Sequence, residues 1–208
     1  MTSATKKRDN TIRSILDAAA DSFAQSGFEG ARMDKIAAQA GINKAMIYYH
    51  IGDKKALYAR VLHDIIGGAA ARFKETIDQL RTPEEKLKTI IHAIALTMDQ
   101  HPCLAPIMLR EQVSGGGNLP EVIARDFAGI ITIVTDILDQ GARQGVFIRT
   151  TPFIVHAMIT GGMLFYKGSF PIRSRHIVFP EAVQKLGGDL SGDVAREIEK
   201  LVLKAVKK

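Results

Sequence analysis

The sequence predicts an all-α chain on three observations. Apolar residues recur at helical spacing through most of its 208 residues, the segments that carry them are bounded by capping side chains, prolines and glycines, and no strand-like alternation of useful length appears. The first helix, 11–25, places Ile12, Ile15, Leu16, Ala19 and Phe23 at offsets 0, 3, 4, 7 and 11, with Asp9 or Asn10 as cap and Gly27 as stop. A second, near 33–40, sets Ile36, Ala37 and Ala40 on one side and breaks at Gly41. Asn43 caps a third, from Lys44 to Ile51. Gly52-Asp53 then turns into a long fourth helix reaching Leu80, with Leu57, Val61, Ile65 and Ile66 among its apolar positions.

Thr82-Pro83-Glu84-Glu85 is a capping box with proline at the first helical position, and it opens a helix to Gln100. After His101-Pro102 a shorter helix reaches Val113. Ser114-Gly115-Gly116-Gly117-Asn118 reads as a flexible loop, and Asn118 with Glu121 three residues on restarts a helix to Gln144. Gly145 ends that helix, and Thr151-Pro152 begins another that stops near Gly168. From Phe153 to Tyr166 it is apolar on nearly every side, with Gly161-Gly162 in the middle, so it must be buried between the core and something else. Residues 171–190 read as irregular, with one turn around Glu181–Leu186. The last helix, 191–206, carries Val194, Ile198, Leu201, Val202, Ala205 and Val206 in a single stripe. No internal repeat is visible.

With 46% hydrophobic and 24% charged residues, the composition is that of an ordinary globular protein, which excludes the collagenous, disordered and disulfide-stapled classes. No apolar run approaches the roughly 20 residues that span a bilayer. Lys6-Lys7-Arg8 is followed by Asp9 and Asn10 rather than an apolar signal segment, so a cytoplasmic location is expected. The single cysteine, Cys103, fits a reducing compartment. The net charge of +6 is unevenly spread: residues 1–60 hold ten basic against six acidic side chains, so most of the excess lies in the first quarter of the chain.

That quarter also carries the most specific local pattern. Two short helices joined at Ala40-Gly41-Ile42-Asn43 match a helix-turn-helix, with glycine permitting the left-handed turn and Ile42 pinning it to the core. Because Ile47 and Ile51 are four apart and face inward, Ala45, Tyr48 and Tyr49 project outward, with Lys44 at the N-terminal end. Such a face suits a major groove: alanine lets the helix approach closely, tyrosines touch methyls, sugars or phosphates, and lysine reaches guanine or phosphate. Lys54 opens the next helix, where its ammonium and the backbone N–H groups can meet a phosphate. Lys6, Lys7 and Arg8 read as part of an unstructured tail, 1–9, either solvated or an arm that touches the DNA backbone or minor groove.

Ile15-Leu16-Asp17-Ala18-Ala19 with Phe23 and Gly27-Phe28, then Ile36-Ala37, Ala40-Gly41-Ile42, Ile47-Tyr48-Tyr49-His50 and Lys54-Lys55-Ala56-Leu57-Tyr58, resemble the N-terminal domain of the TetR/AcrR family of transcriptional regulators. The resemblance runs through about residues 11–60 in unbroken order. It implies a DNA-binding domain over 1–52 and a helical effector-binding and dimerisation domain over 53–208. It also implies a homodimer, usually a repressor, bound to a palindromic operator, with 152–168 and 191–206 forming a four-helix interface. The residues placed on double-stranded DNA are Arg32, Lys44, Ala45, Tyr48, Tyr49, His50 and Lys54. Three positions depart from the family's pattern. Ala31-Arg32 stands where a threonine or serine opens the second helix, leaving Arg32 to take over the phosphate contact. Met46 replaces a phosphate-touching threonine, and Ile51 a phenylalanine of the core.

Beyond residue 60, the apolar faces of the fourth helix and of helices 83–100, 101–113, 119–144 and 152–168 exceed what a thin bundle uses. A mainly apolar pocket is therefore expected among them. His92, Met98, Met108, Phe127, His156, Met158 and Tyr166 are its candidate lining, for a hydrophobic or aromatic effector. A regulator answering to a protein partner predicts no such cavity, and an enzyme predicts convergent titratable groups. His92, His101 and His156 fall on different predicted helices, Asp136 and Asp139 read as a solvated pair, and Cys103 reads as a structural thiol. No catalytic residue, metal ligand set or cofactor is expected.

Overall fold

The computed structural model describes residues 3–175 and 178–208, apart from the side chains of Ser3, Ala4 and Lys7. The described residues form helices α1 (Ser3–Gly30), α2 (Met33–Gln39), α3 (Lys44–His50), α4 (Lys54–Asp78) and α5 (Pro83–Gln100). These are followed by α6 (Leu104–Val113), α7 (Glu121–Arg143), α8 (Pro152–Arg175), α9 (Glu181–Gln184) and α10 (Asp193–Val206). Among them the only strand-like pairing is an isolated bridge between Phe147 and Lys207.

Sequence signals account for most boundaries. Gly27 takes φ +69 and ψ 179, which breaks the helical path of α1 three residues before its formal end. The Asn43 side chain accepts from the Ala45 amide at 2.9 Å, and that of Asp53 from the Ala56 amide at 2.8 Å. Thr82 and Glu85 form the reciprocal capping box.

Three expectations are corrected. Helix α1 begins at Ser3, so the part of the supposed tail that is described is helical: no glycine or proline stands between Ser3 and Ser26, and Lys and Arg are good helix formers. Met1, Thr2 and the Lys7 side chain lie outside the described residues. Asn118 does not cap α7, since Pro120 occupies the cap position and directs the chain into Glu121. Helix α8 runs past Gly168 to Arg175 despite Pro171. There the buried Arg173 guanidinium donates to the Tyr166 and Leu186 carbonyls and lies 4.4 Å from the Tyr166 ring centroid, which holds the extra turns. His176 and Ile177, within the stretch read as irregular, lie outside the described residues.

One continuous apolar core extends from Ile15 to Val206. Helix α4 connects its two ends, packing on α1 and then along α7. Near its start the Tyr58 ring meets Phe23 edge-on at 4.7 Å and Phe28 at 5.1 Å, so the first turns of α4 are seated in the α1–α3 head.

At the other end Asp99 of α5 ties down the approach to α10. Its carboxylate accepts from the Leu190 and Ser191 amides at 3.0 and 2.7 Å and from the Ser191 hydroxyl at 2.6 Å, and it pairs with Lys167 of α8 at 2.5 Å. Burial alone would raise its pKa, but Lys167 and these donors outweigh burial and hold it at about 2. The stability Asp99 contributes is therefore present above its unfolded value of 3.8 and lost as pH falls through about 2. Asp99→Asn should cost about 1–2 kcal/mol at neutral pH and flatten the loss of stability between about pH 5 and 2. Urea melts across that range check it; equal acid sensitivity in both proteins would contradict it.

Candidate DNA interface and effector cavity

The turn between α2 and α3 is built as the sequence requires. Gly41 takes φ +69, a region costly for other residues, and the Ile42 amide donates to the Ala37 carbonyl at 3.0 Å. Ile47 is fully buried beneath α3, and this single anchor decides which residues face out. Tyr48 and Tyr49 are 49% and 81% exposed, and Ala45 and Met46 are exposed beside them.

The charged candidates are placed less simply. Lys44 pairs with Asp34 of α2 at 2.8 Å, and that partner raises its pKa. Arg32 stands at the N-cap of α2, exposed and making no side-chain cap. Lys54 donates to the Glu29 carbonyl at 3.0 Å and lies 4.7 Å from the Phe28 ring centroid, so it fastens α4 to the end of α1. His50 is half-buried, its ring at 77° to that of Tyr49 with centroids 5.0 Å apart, and its Nδ1 is buried without a hydrogen-bond partner.

In the second half of the chain, α4 to α8 line a cavity of about 480 Å³, within the range of pockets for drug-sized ligands. Its walls include Phe73 of α4, Met98 of α5, Met108 and Glu111 of α6, Phe127 of α7 and His156 of α8. Glu111 accepts a hydrogen bond from the Tyr58 hydroxyl at 2.8 Å, the same Tyr58 whose ring is packed into the head. Burial, followed by the bond to Glu111 and the charge of that residue, pushes the Tyr58 pKa well up and keeps the hydroxyl a donor. Burial lowers the pKa of His156 and so favours its neutral imidazole.

Comparison with known proteins fits this geometry. Residues 15–61 match the bacterial regulatory proteins of the tetR family. The HTH-type transcriptional repressor NicS of Pseudomonas putida is 30% identical over 164 residues, which cover 77% of this chain and 76% of NicS. This chain belongs to the tetR family. A further relative, the HTH-type transcriptional regulator RutR of Escherichia coli, is 29% identical over 80% of each chain. The structure of FadR from Bacillus subtilis in complex with stearoyl-CoA shares the fold at a TM-score of 0.70 and 22% identity, covering 92% of this chain and 97% of that one.

In this tetR-family chain, four of the seven candidate lining residues reach the cavity: Met98, Met108, Phe127 and His156. The other three are corrected. His92 sits on another face of α5 and meets Glu199 of α10 at 2.7 Å. Met158 is two residues, or about 200°, round α8 from His156 and faces out. Tyr166 donates to the Gly187 carbonyl at 2.9 Å and packs under Arg173. Residue type alone does not set the rotation of a helix against its neighbours.

Sequence reasoning missed Glu111 altogether. The signal was present: Leu104, Met108 and Glu111 fall at offsets 0, 4 and 7, which places an acid on the apolar stripe of a short helix. The Cys103 thiol is pushed up to about 11 by burial, which keeps it protonated at neutral pH. Among the described residues no group of three His, Cys, Asp or Glu is placed to hold a metal ion, and no helix is long and apolar enough to cross a membrane.

Proposed function

We propose that this protein is a ligand-responsive transcriptional repressor that binds a palindromic operator as a homodimer and releases it when a small effector with an apolar or aromatic body enters the cavity. The observation that carries this reading is the cavity itself, set one hydrogen bond from the head through Glu111 and Tyr58. A mainly apolar pocket of this size favours a small molecule over a protein partner as the signal. Its relatives agree with this reading: NicS is a repressor, and FadR is a regulator solved with stearoyl-CoA.

The exposed face of α8 supports the homodimer. Ile154, Met158, Phe165 and Ile172 fall on one stripe, and Gly161 and Gly162 leave open space beside the backbone, so a helix of a second copy can approach closely. With α10 this face extends to Leu201. A two-fold there sets two recognition helices to read successive major grooves. We divide the work at residues 52 and 53, with DNA contacts before and effector binding and dimerisation after, and place the protein in the cytoplasm with its DNA.

The test is capture of operator fragments from genomic DNA, followed by titration of wild type and two variants. Tyr48→Ala should cost about 1–3 kcal/mol on the selected site. Lys54→Ala should weaken binding to every sequence and lower the salt slope by about one, a readout that its anchoring of α4 would not move. Unchanged binding in both variants would remove α3 as the recognition helix. Effectors that stabilise the protein thermally should lower operator affinity about 5- to 150-fold, the span of coupling of about 1–3 kcal/mol.

A further inference from the structure

The cavity is apolar except at a few points, and two of these are unsatisfied. Glu111 is 4% exposed and His156 8% exposed. Glu111 Oε2 and His156 Nδ1 are both buried without a hydrogen-bond partner, although each residue lines the cavity. The other Glu111 oxygen is taken by Tyr58. Leaving a buried polar atom of a charged group unpaired is costly, so an unpaired atom on a residue that lines a pocket points to the kind of partner the pocket accepts.

The sign of the missing partner follows from the charges. Glu111 is the one acidic side chain of the lining, and the lining contains no Lys or Arg. Among the described residues none forms an ion pair with Glu111. Tyr58 supplies a neutral donor, and burial disfavours the cationic form of His156. Glu111 thus has no ion-pair partner among the described residues, and a buried carboxylate without one is strongly destabilising.

We propose that the effector is an organic cation: an apolar or aromatic body carrying an ammonium or amidinium group that donates to Glu111 Oε2, with His156 Nδ1 receiving a second polar group. This rests on the effector reading above and narrows it to a charge class. It also gives the signal a route. A cation on Oε2 pulls on the carboxylate that Tyr58 holds through the other oxygen, and the Tyr58 ring packs against Phe23 and Phe28 of the head. The neighbouring Arg110 donates to the Gln25 carbonyl of α1 at 3.0 Å, so a shift of α6 also pulls on that helix. An anionic amphiphile meets a like charge at the same carboxylate and is repelled.

The experiment uses matched probes on the full-length protein. Biphenyl and n-dodecyl bodies, each carrying an amine, a hydroxyl or a carboxylate, are titrated by calorimetry, and each binder is then tested for operator release. The amines should bind about ten- to hundredfold more tightly than the alcohols, the carboxylates more weakly than either, and the amines should release operator. Glu111→Gln, checked for folding by circular dichroism, should lose the amine preference while keeping affinity for the alcohols. Tyr58→Phe should still prefer amines, with operator release by them reduced. Equal affinity for amine and alcohol in the wild type, or a preference that survives Glu111→Gln, would overturn the cation assignment. If alcohols or carboxylates bind best and release operator, the effector reading stands and only the cation assignment fails. If no probe of any charge binds, both fail.

Discussion

Leu201→Glu is expected to turn the protein into a monomer and to abolish tight operator binding. Leu201 is 55% exposed on α10, beside the α8 face on which Phe165 is 73% exposed, so in one copy alone a glutamate there is solvated and α10 still forms. In the proposed dimer the same side chain is pressed between apolar surfaces, which costs several kcal/mol and is incurred twice across the two-fold. Sedimentation at micromolar concentration should show wild type at twice the 22.7 kDa chain mass and the variant at that mass. Operator affinity should fall by about a hundredfold or more, because a single head loses the effective concentration that its linked partner supplies. A variant that remains dimeric and binds normally would place the interface elsewhere.

The second large effect is expected in the fold. A Cβ added at Gly141 of α7 would lie 2.0 Å from Cδ2 of Phe147 and 2.6 Å from its Cγ, a contact with the base of the ring that no rotation of a flexible tip relieves. Phe147 is buried, its amide donates to the Gly141 carbonyl at 3.1 Å, and the next amide, of Ile148, donates to the Val206 carbonyl at 2.8 Å. Moving the ring therefore loosens the return of the chain after α7 and its pairing with the end of α10. Overpacking at the upper end of its usual range, less about 1 kcal/mol of helix propensity gained by alanine, leaves about 2 kcal/mol of destabilisation. For a chain of this size that lowers Tm by about 4–8 °C. Phe147→Ala in the same background should cost much less than the sum of the two single changes, since the vacated ring space receives the new methyl. A wild-type Tm for Gly141→Ala would show that the ring moves freely.

Much of this protein is decided within short stretches of chain, and there the sequence sufficed. Caps at Asn43, Asp53 and Thr82, the left-handed turn at Gly41 and the inward phase of Ile47 each depend on residues within a few positions of one another. They determine the all-α class, the helix-turn-helix and the outward stand of Tyr48 and Tyr49. The family resemblance covers the same stretch because the same local physics operates there. What only the tertiary structure decided depends on how one helix is rotated against another. Met98 and His92 are six residues apart on α5, yet one lines the cavity and the other meets α10. Glu111 gains its meaning from Tyr58, 53 residues away, and Lys54 from Glu29 at the end of another helix. Helical periodicity separates an apolar face from a polar one, but the neighbour that face meets, and whether the space between them closes, is set by the packing of all five surrounding helices at once.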